Sequence, residues 1–235
     1  MPLPKIEVPN HKINIFSTTE NITYRPFLVK EEKILLTALA GENNEEIIQA
    51  IRQIVQNCII KPEINVEILP MFDLEYLFVN LRSKSVGSIS EIGLECNNCG
   101  EENRFEINLE EIELKRDPSH TQEIELVESS VGVIMKYPTI ELINNASEEG
   151  GVEELYSLIS NCIDIVYTPD EEHNMNDYTE EERTSFFESL TQEHFLKLQN
   201  FFNTIPYTHY NLDYNCQHCE HQEDMELRGI NNFFT

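Results

Sequence analysis

Two short stretches carry the residue types with the most definite chemistry. One is Leu94-Glu95-Cys96-Asn97-Asn98-Cys99-Gly100, and the other is Tyr214-Asn215-Cys216-Gln217-His218-Cys219. In each, two cysteines at C-x-x-C spacing can bite one metal ion from the tip of a tight hairpin. Two such turns supply the four ligands of a closed, tetrahedral zinc site. The flanks fit hairpins. Ile92 and Leu94 precede the first pair, and Phe105, Ile107 and Leu109 alternate after it. Tyr210, Leu212 and Tyr214 lead into the second pair, and Met225, Leu227 and Ile230 follow. Two strand–turn–strand units of one design read as the halves of a single zinc ribbon, with Cys96, Cys99, Cys216 and Cys219 as ligands and one structural Zn2+ per chain. Other readings stay open: disulfides, unpaired thiols, two separate metals, or sites completed by His218 and His221. Six cysteines in 235 residues is not a disulfide-dense composition. No signal peptide opens the chain, so a reducing, cytosolic setting is expected. A thioredoxin-type redox pair would need a βαβ context that neither copy has. Cys58 and Cys162 fall in apolar helical patterns and read as buried thiols.

The elements that must position these turns can be read from spacing. Ile13, Ile15, Ile22 and Tyr24 flank Ser17-Thr18-Thr19-Glu20-Asn21, which predicts a β-hairpin. The proline-containing stretch 1–10 before it reads as an extended arm. Ile34, Leu35 and Leu39 predict a helix over 29–40, closed by Gly41. Asn43 or Asn44 caps a second helix with Ile47, Ile48, Ile51, Ile54 and Val55 on one face, stopped by Lys61-Pro62. A third helix, 73–84, turns Leu74, Leu77, Phe78 and Leu81 inward. After the first C-x-x-C turn, residues 122–127 and 131–137 predict two strands joined near Ser129-Ser130. Val152, Leu155, Leu158, Ile159, Ile163 and Val166 predict a helix from a loose Gly150-Gly151 start to about Tyr167. Residues 169–177 read as an exposed acidic loop. Thr179 with Glu182 forms a capping box before Phe186, Phe187 and Leu190, and Thr191 caps a helix carrying Phe195, Leu198, Phe201 and Phe202 up to Pro206. Phe233-Phe234 offers a C-terminal anchor.

The expected fold is therefore α+β. Residues 1–90 form a hairpin with a three-helix region, 91–140 and 207–235 a split zinc-ribbon-like β domain, and 141–206 a helical insertion.

Charge narrows the function. The chain carries 43 Asp and Glu against 16 Lys and Arg, a net charge of −27 spread along its length. Such a surface repels phosphate backbones and anionic membranes, which argues against nucleic acid despite the zinc motif. No apolar run is long enough to span a bilayer. With 40% hydrophobic residues, including 12 Phe and 9 Tyr, there is enough apolar side chain for a packed core.

A catalytic constellation is not evident. There is no G-x-G-x-x-G, P-loop or G-x-S-x-G. His173 beside Asp170, Glu171, Glu172 and Asp177 has no defined ligand spacing, and a solvated loop is its simplest reading. A closed four-thiolate zinc has no open coordination position with which to activate water. The expected protein is not an enzyme.

The order of residues also resembles a known family. Leu3-Pro4-Lys5, the run from Tyr24-Arg25-Pro26-Phe27 through Leu36, Pro70-Met71-Phe72-Asp73-Leu74-Glu75-Tyr76-Leu77-Phe78 and Leu81-Arg82-Ser83-Lys84-Ser85-Val86-Gly87 resemble the N-terminal signature of the T-even-type phage baseplate proteins. Cys96 and Cys99, the second C-x-x-C, Phe186-Phe187-Glu188-Ser189-Leu190 and Phe201-Phe202-Asn203-Thr204-Ile205-Pro206 extend the resemblance along the chain. It implies a baseplate hub subunit, or a hub assembly factor or chaperone, with no catalytic residues to carry over. The implied partners are baseplate hub and tail proteins, the tape-measure protein among them. The implied location is the host cytoplasm during assembly or the virion tail baseplate.

The scarce positive charge clusters early, at Lys30, Lys33, Arg52, Arg82 and Lys84. Arg25, Phe27, Lys30 and Lys33 are candidate partner-binding residues, against the equally simple reading that Phe27 is core and the charges are solvated. A zinc-ribbon adaptor of host transcription or translation, acting through protein contacts, is the second reading of the whole chain.

Overall fold

Caps, alternation and a few buried carboxylates account for most of the elements. In the computed structural model, residues 6–18, 21–41, 43–139, 142, 151–229 and 233 are described. Met1–Lys5, Gly150, Ile230 and Phe234, which figure in the sequence reading, lie outside them. The fold is α+β, with helices beside several small antiparallel sheets. None of the described helices is long and apolar enough to cross a membrane. The chain divides into two compact units, residues 1–115 with 207–235, and residues 116–206.

The first unit opens with the expected hairpin, His11–Asn14 (β1) against Asn21–Tyr24 (β2), with Ile13 opposite Ile22. Ile59–Lys61 (β3) adds a third strand beside β2. The β1–β2 connection is held from outside the hairpin. The buried Asp73 carboxylate accepts the N–H groups of Phe16 and Ser17, each at 2.8 Å. Helix Val29–Leu39 (α1) is followed by Asn44–Cys58 (α2), whose Asn43 cap accepts the N–H of Glu45 at 2.9 Å. Ala50, Ile51, Ile54, Val55 and Cys58 form the buried stripe of α2. Helix Met71–Ser85 (α3) buries Phe72, Leu74, Leu77, Phe78, Val79 and Leu81. Two hairpins complete the unit: Ile89–Glu95 (β4) with Glu102–Asn108 (β5), and Tyr207–Asn215 (β11) with Gln222–Arg228 (β12). Glu113–Lys115 (β6) pairs with the start of β11. Ile92, Ile107, Leu109, Ile112, Leu212, Tyr214 and Leu227 from these elements share one core with Val79. Phe233 is fully buried in the same core, and its carbonyl accepts the Ser90 hydroxyl at 3.1 Å.

The second unit is a four-stranded antiparallel sheet with helices on it. The strands run in the order Glu172–Asn174 (β10), Ile163–Tyr167 (β9), Val131–Met135 (β8) and Glu123–Val127 (β7). Its helices are Val152–Asn161 (α4), Glu180–Glu188 (α5) and Gln192–Thr204 (α6). Leu126, Val133, Met135, Ile159, Cys162, Ile163, Phe187, Leu198 and Phe201 form the core. Gly132 faces Tyr167 across the β8–β9 ladder, and a Cβ there would overlap the tyrosine ring. His120 ties the entry of the unit to its exit, at 2.9 Å from the Thr204 hydroxyl and 2.9 Å from the Tyr137 hydroxyl.

Two expectations fail in this unit. The helix expected to run to Tyr167 ends at Asn161, with Cys162 as its cap, and Ile163–Tyr167 is a strand. Ile163 and Val166 continue the helical spacing by coincidence. The segment is β-branched and aromatic, and Val166 and Ile165 find partners in Val133 and Ile134. The expected acidic loop likewise contains β10 and a 3-10 turn that buries Met175. His173 there meets the Tyr178 hydroxyl at 2.7 Å.

Candidate metal centre

Each C-x-x-C turn sits at the tip of one hairpin, and both tips are built alike. After β4, the Gly100 N–H donates to the Cys96 carbonyl at 2.8 Å, and the Cys96 N–H to the Glu101 carbonyl at 3.0 Å. After β11, the Glu220 N–H donates to the Cys216 carbonyl at 3.0 Å, and the Cys216 N–H to the His221 carbonyl at 2.8 Å. The turn geometry requires a left-handed residue after the second cysteine. Gly100 supplies it with φ of 74°, while Glu220 adopts it with φ of 59°.

The two tips meet. The sulfur atoms of Cys96, Cys99, Cys216 and Cys219 all lie within 4.8 Å of one another, close enough to hold one metal ion. The Cys96 and Cys219 sulfurs are 3.8 Å apart and those of Cys99 and Cys216 3.7 Å. Zinc–sulfur bonds of about 2.3 Å make a tetrahedron with edges of about 3.8 Å, so this spacing fits a zinc ion. It is far too long for disulfide bonds, which are about 2.05 Å. Histidine does not complete the set. The His218 ring reaches the Glu102 carbonyl at 3.2 Å, and His221 contributes its backbone carbonyl to the turn. Among the described residues these cysteines are the only such metal-sized group.

The thiols are electrostatically unequal. At the exposed Cys99 the Glu101 N–H favours the thiolate, but partial loss of water contact and the three neighbouring sulfurs overrule it and push the thiol up to about 12. At Cys216 burial opposes ionisation, yet N–H donors from His218 and Cys219 and the neighbouring thiols bring it down to about 6. Donation from the Asn98 amide holds Cys219 below its ordinary value. Four crowded sulfurs resist sharing four negative charges without a cation between them. A divalent ion removes that conflict and leaves no coordination position for substrate.

Further contacts lock one tip against the other. The Gln217 N–H donates to Asn103 Oδ1 at 2.8 Å, and Asn103 Nδ2 donates to the Glu101 carbonyl at 3.0 Å. Asn103 is fully buried, so one side chain bridges the two turns. Phe105 packs on Tyr214 with ring centroids 4.5 Å apart, and the Tyr214 hydroxyl donates to Glu223 at 2.8 Å. Asn103 had no signal in the sequence, because its role depends on a backbone far away in the chain.

Two of the four N-terminal candidates, Arg25 and Lys30, meet at a residue that sequence reasoning passed over. Glu31 is completely buried in the first turn of α1. It accepts from Arg25 at 3.0 Å and from the Leu28 N–H at 2.8 Å, and Lys30 Nζ lies 3.2 Å away. Burial opposes its ionisation, but Arg25, the Leu28 N–H and Lys30 hold the carboxyl below its ordinary range. Phe27 is buried, and its N–H donates to the Ser85 hydroxyl at 2.9 Å. Lys30 and Lys33 are exposed. A glutamate at the third position of a helix, able to turn back to the N-cap N–H, was the available clue to Glu31.

Over residues 8–235 the chain matches the family model described as T4 bacteriophage base plate protein. No curated protein and no solved structure matches it.

Proposed function

We propose a role in building the tail for this chain, which belongs to the T4 bacteriophage base plate protein family. Family membership over nearly the whole chain carries the reading, and it favours a tail protein over a zinc-ribbon adaptor. Within the family role, the chain is a non-enzymatic baseplate hub subunit or hub assembly factor, working through contacts with hub and tail proteins, including the tape-measure protein. Cys96, Cys99, Cys216 and Cys219 hold one structural zinc that fixes the two hairpin tips. Lys30 and Lys33 present the partner-facing charge of α1, and Arg25 and Phe27 hold the segment that carries them. Assembly takes place in the host cytoplasm.

Affinity capture of the full chain from infected cells tests this. Hub and tape-measure proteins are expected in the eluate, and Lys30→Glu with Lys33→Glu is expected to reduce them; Lys33→Glu alone, which keeps the Lys30–Glu31 pair, is expected to reduce them at unchanged thermal stability. An eluate without tail proteins would overturn the function, and undiminished capture by the double variant would overturn the lysine surface. Mass spectrometry of purified virions separates the two roles: a subunit leaves peptides there, and an assembly factor appears only in cell extracts.

A further inference from the structure

The helical layer of the second unit carries an open groove of about 540 Å³ with an aromatic floor. Tyr156 of α4 stacks on Phe195 of α6 with centroids 4.7 Å apart, and Phe187 of α5 meets both edge-on. Three rings from three helices hold one another, so the floor is pre-organised. Yet this apolar surface remains open to water. Leu196 is 54% exposed and Tyr156 41%. The Thr191 hydroxyl beside the groove is occupied by the α6 cap, accepting from the His194 N–H at 3.3 Å.

Leu196 is also a wall of a second groove, of about 500 Å³, running alongside the first. Glu193 lies exposed on its helix side, while on its strand side the Glu123 carboxylate meets the Tyr167 hydroxyl and the Glu125 carboxylate accepts the Ser129 N–H at 2.7 Å. Glu188 borders the aromatic groove itself. Counter-charge is scarce. Between residues 116 and 206 the basic residues are Arg116, Lys136, Arg183 and Lys197, and Lys197 is engaged with Glu193 at 3.5 Å and the Leu126 carbonyl at 3.0 Å.

We propose that this paired surface docks a cationic amphipathic segment of another protein, its apolar side chains entering the Tyr156–Phe195 groove and its Lys or Arg side chains meeting Glu188 beside it and Glu193 across Leu196. Aromatic anchors in a pocket supply the affinity, and the carboxylates set the sign of the partner and speed its approach. A second copy of this chain is a poor occupant, because each copy carries a net charge of −27. A nucleic acid is repelled for the same reason. The surface is built from other residues than the candidate metal centre and Lys30 and Lys33, so its test is independent of theirs.

The chain contains no tryptophan, so a single Trp in a synthetic helical peptide of Leu and Lys reports binding without a label. The intact protein is titrated with this peptide, with a version in which Glu replaces Lys, and with one in which Ser replaces Leu. The expected result is a blue-shifted, saturable signal with the Leu/Lys peptide, weakened about tenfold or more by either replacement. Leu196→Ser is expected to weaken it similarly, and Glu188→Gln with Glu193→Gln to lessen its salt dependence. Equal affinity for the Ser-substituted peptide would mean bulk attraction to an acidic protein and would overturn the proposal, as would absence of binding. The peptide comparison uses the unaltered protein, so it decides even where a variant folds poorly.

Discussion

Three side chains with no reactive chemistry of their own show how much hangs on single polar groups. Asn103 joins the two cysteine turns, Glu31 gathers Arg25 and Lys30, and Asp73 accepts two backbone N–H groups from the β1–β2 connection. All three are fully buried, so a lost partner leaves a donor stranded away from water. Asp73→Asn keeps the shape but turns an NH2 group toward one of those N–H donors. Its expected cost is about 1–3 kcal/mol, read as a lower urea midpoint at unchanged slope. The cysteines were legible at this scale because ligand type and spacing are local. Asp73 appeared as the first residue of an expected helix and within the family-like run, with no sign of its role, because the groups that it binds lie far back in the chain.

Strands and helices were legible wherever their own residues settle the matter. The Thr179 and Asn43 caps, the buried stripe of α2 and the alternation of β4, β5, β11 and β12 match their periodicities. Ile163–Tyr167 did not, because helix and strand spacings coincide over so few residues, and pairing with Val131–Met135 decides. The three-stranded sheet β12-β11-β6 has its own electrostatic clasp. Glu226 of β12 accepts from Lys115 of β6 at 2.7 Å and from Tyr207 of β11 at 3.2 Å, and it pairs with Arg228. Lys115 first, then Arg228, bring its carboxyl down from 4.5 to about 2. Its folded value lies below its unfolded one. The stability it contributes is therefore complete above about 4.5 and lost as pH falls toward about 2. Glu226→Gln should lower the melting temperature at neutral pH and flatten its fall through that acid window, measured by thermal scans from neutral to acid pH. Parallel acid limbs in both proteins would contradict the clasp.

Across the whole molecule, the chain leaves the first unit at Lys115 and re-enters it at Tyr207, and these two residues are partners in the β6–β11 ladder. The ends of the second unit's sequence are thus fixed side by side before the metal is considered. The cysteine cluster lies at the other end of β11 and joins the tips of the β4–β5 and β11–β12 hairpins. Because such a site forms only in the folded chain, metal binding and folding should be coupled. Metal analysis of the pure protein is expected to give one zinc per chain, and Cys96→Ser or Cys216→Ser to lose zinc and soluble yield together. Zinc-free protein, with either variant fully stable, would refute the shared site. The sequence by itself determined the four candidate cysteines, the hairpins that carry them, the caps and the acidic surface, because each depends on residue type and near-neighbour spacing. Only the tertiary structure decided that Ile163–Tyr167 is a strand, that Asn103, Asp73 and Glu31 are buried clamps, and that the two cysteine pairs share one cluster. Each of those needs a partner distant in sequence, or a burial that local spacing does not encode.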